Sequence, residues 1–416
     1  MRDDWRPQAT LRPVTALDLC ATVLAGQLGF LFHNPRVFVF VKAGVFDASP
    51  AQNRLGAKMG PLSTTSMRLS DYLRGKRVMV TGACGTVGQQ LVQQLLEGFQ
   101  VDELIGLDHN ESELVFLEER HSQHSNARFL LCDIRDPSSL LRETRQIDVL
   151  FHAAAYKHVL VCERSPLEAI QTNVLGVQNI VQASIENRVQ RLIFTSSDKA
   201  VNPTNVMGTS KLMGERLITA AAIGPNHADA TFLSTRFGNI LGSRGSVIPL
   251  FRDQIRRGGP VLLSDPRMTR FIMSLDDAVR LVIESTVLGR SGDVLITKMP
   301  AIRIKDLAEV MIREFAPRCG QRPENIELRT IGPRAGEKLY EELMNEEETR
   351  RSFELDRYFI VRPAMTLSDE KIFASNGSDT REVELPYNSA NVPPLSQVEL
   401  TQFLYDNRLV EGDRAY

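Results

Sequence analysis

The chain has 416 residues and a formal charge of −2, from 49 Lys and Arg against 51 Asp and Glu. With 43% hydrophobic and 24% charged residues its composition is globular, which excludes a disordered or collagen-like chain, and the missing basic excess argues against a nucleic-acid partner. Cys20, Cys84, Cys132, Cys162 and Cys319 form no CxxC pair and have no histidine at ligand spacing, so neither a disulfide framework nor a metal site is expected, and the thiols read as reduced fillers of a cytoplasmic protein.

Residues 1–66 carry Arg2, Arg6 and Arg12, an apolar patch and a Ser/Thr/Gly/Pro-rich run ending at Met67. A basic start before an apolar stretch fits a signal peptide or a membrane-surface segment, but Asp18 and Gln27 interrupt the stretch, which falls short of the ~20 clean apolar residues of a membrane span. A poorly structured extension, or a leader upstream of a start at Met67, is the expectation.

From Lys76 onward short β-branched runs alternate with helix-period segments. Residues 77–81, 103–107, 128–131, 148–152, 191–195 and 231–236 read as six buried strands, with helical patterns over 88–96, 111–119 and 166–186 between them. Right-handed crossovers make such strands an α/β doubly wound parallel sheet, which binds ligands at the strands' carboxyl ends. Residues 67–237 are therefore expected to form a dinucleotide-binding domain. After Gly238 the rhythm breaks, with turn signals at Gly258-Gly259-Pro260 and Gly332-Pro333. Residues 238–350 are expected to be mainly a smaller, mixed α/β substrate-binding lobe, with 351–416 packed on it.

The first strand runs directly into Gly82-Ala83-Cys84-Gly85-Thr86-Val87-Gly88 and then a helix. Gly82 permits a tight turn, Gly85 lets the backbone approach a pyrophosphate, Gly88 allows close helix packing, and the helix N-terminus offers N–H groups to the anion. The spacing is GxxGxxG, one residue longer than the usual fingerprint. Asp108, at the end of the second strand and twenty residues past Gly88, suits the hydroxyls of an adenosine ribose and would repel a 2′-phosphate, which favours NAD over NADP. It also suits a helix cap. Asp133, in Cys132-Asp133-Ile134-Arg135-Asp136, is a candidate for a helix cap or for the adenine amino group.

Phe194-Thr195-Ser196-Ser197-Asp198-Lys199 ends a strand, and Asn202-Pro203-Thr204-Asn205-Val206-Met207-Gly208-Thr209-Ser210-Lys211 leads into the next helix. With the glycine loop, these segments resemble the extended short-chain dehydrogenase/reductase family, a Rossmann-type fold in which a Tyr and a Lys four apart share one helix face beside the nicotinamide. Lys211 stands at the Lys position, while the Tyr position holds Met207, which cannot accept a proton. The run from Ser197 to Gly208 is similar to the branch of nucleotide-sugar 4,6-dehydratases acting on UDP-N-acetylglucosamine in capsule, O-antigen and glycan synthesis, which often carries Met there. Further matches are Phe151-His152-Ala153-Ala154-Ala155-Tyr156-Lys157-His158-Val159, Thr172-Asn173-Val174-Leu175-Gly176, Arg236-Phe237-Gly238-Asn239, Gly242-Ser243-Arg244-Gly245-Ser246-Val247-Ile248-Pro249, Met268-Thr269-Arg270-Phe271 and Gly336-Glu337-Lys338-Leu339-Tyr340. The resemblance covers residues 76–342 and extends weakly to 387–391.

The resemblance implies an internal redox isomerisation with loss of water from a nucleotide sugar, using NAD. It assigns Gly82, Gly85, Thr86, Val87, Gly88, Asp108, Asp133, Ile134, Ala153, Ala154, Ala155 and Lys211 to the cofactor, and Lys157, Asn173, Asn239, Arg244, Arg270 and Glu337 to the substrate, the arginines as phosphate forks. Asp198 is the expected acid and Lys199 the expected base, its pKa lowered by burial or by a neighbouring cation such as Lys211, while Ser197 faces the developing oxyanion at C4. With Met207 inert, the C4 hydroxyl proton falls to another group such as Asp198. A homo-oligomer without a membrane span is expected. The competing readings are a 4-epimerase, a dehydratase for another nucleotide sugar, and a non-enzymatic NAD-binding scaffold.

Overall fold

The computed structural model describes residues 64–224, 230–365 and 381–410. The extension expected over 1–66 lies outside these, apart from its last three positions. In chain order the large sheet and the helices around it run α1 (Thr64–Leu73), β1 (Arg77–Thr81), α2 (Thr86–Gly98), β2 (Glu103–Asp108), α3 (Glu111–Arg120), β3 (Ala127–Leu131), α4 (Pro137–Glu143), β4 (Val149–His152), α5 (Gly176–Glu186), β5 (Arg191–Thr195), α6 (Val206–Ile223), β6 (Thr231–Arg236), α7 (Leu275–Leu288), β7 (Val294–Thr297), β8 (Ser352–Glu354), β9 (Tyr358–Val361) and β10 (Arg381–Glu382). The six expected strands agree with β1 to β6 to within one residue at each end.

The strand order is β10-β8-β9-β7-β6-β5-β4-β1-β2-β3, parallel from β3 to β7. Beyond β7 the sheet turns antiparallel. Side chains alternate across the sheet as the strand period requires. Val78 and Val80 of β1 pack on one face with Leu91 and Leu95 of α2 and Val279 of α7. Met79 points to the other face, with Val177 and Ile180 of α5 and Ile218 of α6.

The sequence reading missed the four strands from β7 to β10. Val294-Leu295-Ile296-Thr297 is a short apolar run without alternation, which periodicity cannot tell from a helix segment. It falls within the span expected to be lobe, so the chain returns to the sheet after leaving it.

The lobe is built on the strands Asn239–Ile240, Thr269–Met273 and Ala301–Arg303 and the helices Val247–Arg256 and Ile304–Phe315. Its own core includes Phe251, Leu307 and Met311, joined by Leu400 and Leu404 of the helix Gln397–Asp406. That helix starts at a Ser396/Glu399 capping box. Packing of 351–416 on the lobe therefore describes Gln397–Asp406, whereas β8 to β10 extend the large sheet instead. Among the described residues no helix is long and apolar enough to cross a membrane.

Candidate active site

Two cavities open at the carboxyl ends of the parallel strands. The first, about 260 Å3, is lined in part by Gly82, Gly85, Asp108, Asp133, Ile134, Ala153, Ala154 and Ala155. Gly82 adopts φ +69°, and a Cβ on it would lie 2.6 Å from the Ala154 nitrogen, so this turn requires glycine. A Cβ on Gly88 would collide with the Gly82 carbonyl. Gly85 precedes α2 without a side-chain cap, which leaves the first-turn N–H groups of Thr86, Val87 and Gly88 to an anion.

Asp108 accepts from the Cys84 N–H at 2.9 Å and the Asn110 N–H at 3.0 Å, tying the glycine loop to the end of β2. The helix cap considered for Asp108 is Asn110, which accepts from the Glu113 N–H at 3.2 Å. Asp133 caps no helix either. Its carboxylate is gripped by the Arg135 guanidinium at 2.7 Å, a pairing that holds it below the usual carboxylate range, and Asp136 caps α4. Thr172, part of a matching motif but given no role from the sequence, lines this cavity, and its buried hydroxyl has no partner among the described residues. An uncapped helix, a glycine cradle, a carboxylate at the end of β2 and an unsatisfied hydroxyl together fit an adenine dinucleotide.

Arg244, expected on the substrate diphosphate, lies on this first cavity instead, 3.0 Å from Glu113 of α3. Asn173 differs as well. The helix expected over 166–186 breaks into Pro166–Ile170, a π turn at Gln171–Leu175 and α5. The turn carries Asn173 inward, where its amide accepts from the Tyr156 N–H at 2.8 Å and donates to the Tyr156 carbonyl at 2.9 Å and to Ser210 Oγ at 2.9 Å. Asn173 thus fixes the strand end between the cavities. Lys157 is exposed on that segment, between Tyr156 of the first cavity and His158 of the second.

The second cavity, about 390 Å3, is lined in part by His158, Lys199, Asn239, Arg270, Glu337 and Glu341. After β5 a 3-10 turn at Asp198–Ala200 presents Asp198 and Lys199. Ser197 Oγ accepts from the Lys199 N–H at 3.3 Å and donates to Asp198 Oδ1 at 2.7 Å. Lys199 Nζ donates to the same Asp198 oxygen at 3.0 Å and to Asn239 Oδ1 at 3.3 Å. Asp198 is fully buried, and its Oδ2 has no hydrogen-bond partner among the described residues.

Burial disfavours the Lys199 ammonium, yet the carboxylates of Asp198 and Glu341 outweigh it and hold the group above its ordinary range. The expected lowering is therefore reversed. In this arrangement Asp198 Oδ1 accepts from Lys199 Nζ.

Lys211 does not serve as the neighbouring cation. It is buried in α6, donates to the Thr195 carbonyl at 2.9 Å and lies 4.8 Å from the centre of the Phe194 ring. Burial pushes its amine down to about 8. Met207, one turn earlier, is buried against Cys162 and Ala169.

Arg270 spends its terminal nitrogens on backbone carbonyls, Thr269 at 2.7 Å and Lys338 at 2.8 Å, and turns Nε toward Glu341 at 3.5 Å. It braces the 338–341 segment on the wall of the second cavity. Glu337 accepts from the Arg334 N–H at 3.0 Å on the cavity wall. Glu341 itself was missed, although it follows the Gly336 to Tyr340 motif directly.

Residues 78–363 match a family described as polysaccharide biosynthesis protein. The chain belongs to that family. A Methanocaldococcus jannaschii relative, named an uncharacterized membrane protein, is 47% identical over 296 residues, 71% of this chain and 88% of its own. A UDP-N-acetylglucosamine 4,6-dehydratase (inverting) from Campylobacter jejuni is 36% identical over 326 residues, 77% of this chain and 94% of its own. The X-ray structure of Pen from Bacillus thuringiensis superposes with a TM-score of 0.75 at 36% identity, covering 81% of this chain and 99% of that one. Rickettsia relatives named UDP-glucose 4-epimerase align at 35 to 36% identity. The resemblance expected from the motifs is met: an extended short-chain dehydrogenase/reductase of the nucleotide-sugar dehydratase and epimerase group.

Proposed function

We propose that this protein is an NAD-dependent 4,6-dehydratase that converts UDP-N-acetylglucosamine to a UDP-4-keto-6-deoxy sugar. The observation that carries the reading is the buried Asp198 carboxylate bound to Lys199, which lines the second cavity, with Met207 in place of a proton-accepting Tyr. The 36% identity to a Campylobacter jejuni enzyme of that name supports it.

Residues 67–237 supply the cofactor site in this reading, and 238–350 mainly the substrate side. The α2 N-terminus, Thr172 and the Asp108 carboxylate hold NAD in the first cavity, where Asp108 disfavours a 2′-phosphate. NAD supplies a hydride acceptor at sugar C4 and a donor at C6. Lys211 and Asn173 fix the strand ends on which the sugar rests. Asp198, whose Oδ1 accepts from Ser197 and Lys199, suits the C4 hydroxyl proton, and Ser197 Oγ neighbours the oxygen that becomes the ketone. A C4 ketone acidifies C5–H, and elimination of the C6 hydroxyl as water then needs one base and one acid beside the same ring.

The test is incubation of the full chain with UDP-N-acetylglucosamine, with the sugar followed by NMR and mass spectrometry. A 4-keto-6-deoxy product lighter by one water is expected. Inversion at C4 without loss of water would establish the epimerase reading instead, and absence of conversion would contradict both.

A further inference from the structure

Arg244 crosses from the lobe to the cofactor side of the molecule. Its loop leaves the strand Asn239–Ile240 and returns to the helix Val247–Arg256 through tight turns, in which the Ser243 N–H donates to the Ile240 carbonyl at 3.3 Å and the Ser246 N–H to the Ser243 carbonyl at 3.0 Å. Gly242 at φ +80° and Gly245 at φ +70° supply left-handed corners. A Cβ on Gly245 would lie 2.4 Å from His158 Cε1, so the loop rests closely on the segment after β4 that separates the cavities. Ser243 is buried and anchors the loop, while Arg244 lines the first cavity.

Glu113 stands on the opposite wall, in the first turn of α3. Its N–H donates to the capping Asn110 at 3.2 Å, and the Asn110 N–H donates to Asp108 at 3.0 Å, so Glu113 is tied to the end of β2. Arg244 Nη2 meets Glu113 Oε2 at 3.0 Å, and both residues line the first cavity with Gly82, Gly85 and Asp108. The charge of Arg244 also acts on Cys84 in the glycine loop and on Lys157 after β4, which sets the guanidinium over the ground between these elements. The two side chains are 46% and 32% exposed, and an ion pair so wetted adds little to folding. One partner on each wall of the cavity gives it another use.

Resting on the NAD part of the reading above, we propose that the Arg244–Glu113 pair is a clasp that closes over the bound cofactor and slows its release. Arg244 then serves retention of the dinucleotide and not the sugar diphosphate. A dinucleotide in the cavity displaces water from beneath the pair, which strengthens the attraction between its charges, and release requires the pair to open. The proposed chemistry gives the clasp its purpose: hydride taken from sugar C4 is returned to C6, so the cofactor has to stay in place between the two transfers. A cofactor lost in that interval would strand a keto sugar. Because the Arg244 loop belongs to the lobe and touches His158 of the second cavity, the clasp also ties cofactor retention to the wall on which the sugar is read.

The experiment reads cofactor release with no sugar present. Full chain loaded with NADH is mixed with excess NAD, and the fall in bound NADH fluorescence gives the release rate. Arg244→Glu and Glu113→Arg each set like charges across the cavity and should release NADH roughly 5-fold faster or more. The double variant restores an opposite pair and should return most of the way to the wild-type rate. Rising salt should speed wild-type release, with a smaller slope in Arg244→Met, which has no pair to screen. Single variants at the wild-type rate, a double variant no slower than the singles, or equal salt slopes overturn the proposal. If the wild type holds NADH but leaves UDP-N-acetylglucosamine unchanged, the dehydratase reading fails while these rates still judge the clasp. A wild type that holds no NADH overturns the clasp together with the cofactor reading.

Discussion

Lys199 donates to Asp198 Oδ1 at 3.0 Å, and the carboxylate that receives it is fully buried. Each group is the other's principal counter-charge, so removing one leaves the other stranded in a low-dielectric site. Asp198→Asn and Lys199→Met should each lower turnover ~100-fold or more, with cofactor binding retained. Initial rates beside calorimetric NAD titration check this, and full activity in either variant would remove the pair from the chemistry.

The glycine cradle makes a separate prediction. A side chain at Gly82 meets the Ala154 backbone, so Gly82→Ala should abolish NAD binding while the lobe stays folded. Asp108→Asn replaces an acceptor of two backbone N–H groups and should weaken NAD at least ~10-fold, about 1.4 kcal/mol, and narrow the preference over NADP. Fluorescence titration with both cofactors reads the effects.

Lys211 sets a pH dependence of stability. Burial lowers its amine from 10.5 to about 8, so between these values the unfolded chain holds the proton and the folded chain does not. Stability from this group therefore rises with pH across that window, by at most about 1.4 kcal/mol per pH unit; below it both states are protonated and its contribution is flat. Urea unfolding at pH 8, 9 and 10 should show wild type gaining on Lys211→Met, and parallel curves would contradict the assignment.

Arg236 at the end of β6 is buried between Glu215 of α6, at 2.6 Å, and Glu348, at 2.8 Å. It ties the helix bearing Lys211 to the segment leading into β8. Arg236→Met should cost about 3 to 5 kcal/mol by leaving two buried carboxylates without their cation, measured by urea unfolding at neutral pH.

The strands β1 to β6 and the placement of Asp108 and Asp198 at strand ends were legible because they depend on local pattern: β-branched runs, glycine spacing and adjacency in the chain. What escaped depends on distant partners. Glu341 sits beside Glu342 in a polar run and reads as surface charge; its burial comes from Ser389, 48 residues further on. Thr172 lies in what reads as continuous helix, and the inward position of Asn173, named from the resemblance, depends on the π turn. Arg244 and Arg270 were assigned to phosphate from the resemblance and the chemistry of the guanidinium, whereas Glu113 and the carbonyls of Thr269 and Lys338 hold their guanidinium groups in this structure.

The most direct measurement of the central claim is the isotopic pattern of the sugar after turnover in heavy water. Abstraction at C5 beside Asp198 and Lys199 predicts a 4-keto-6-deoxy product carrying one deuterium at C5. A dehydrated product that keeps its original hydrogen at C5, or a sugar returned with only C4 inverted, would contradict it.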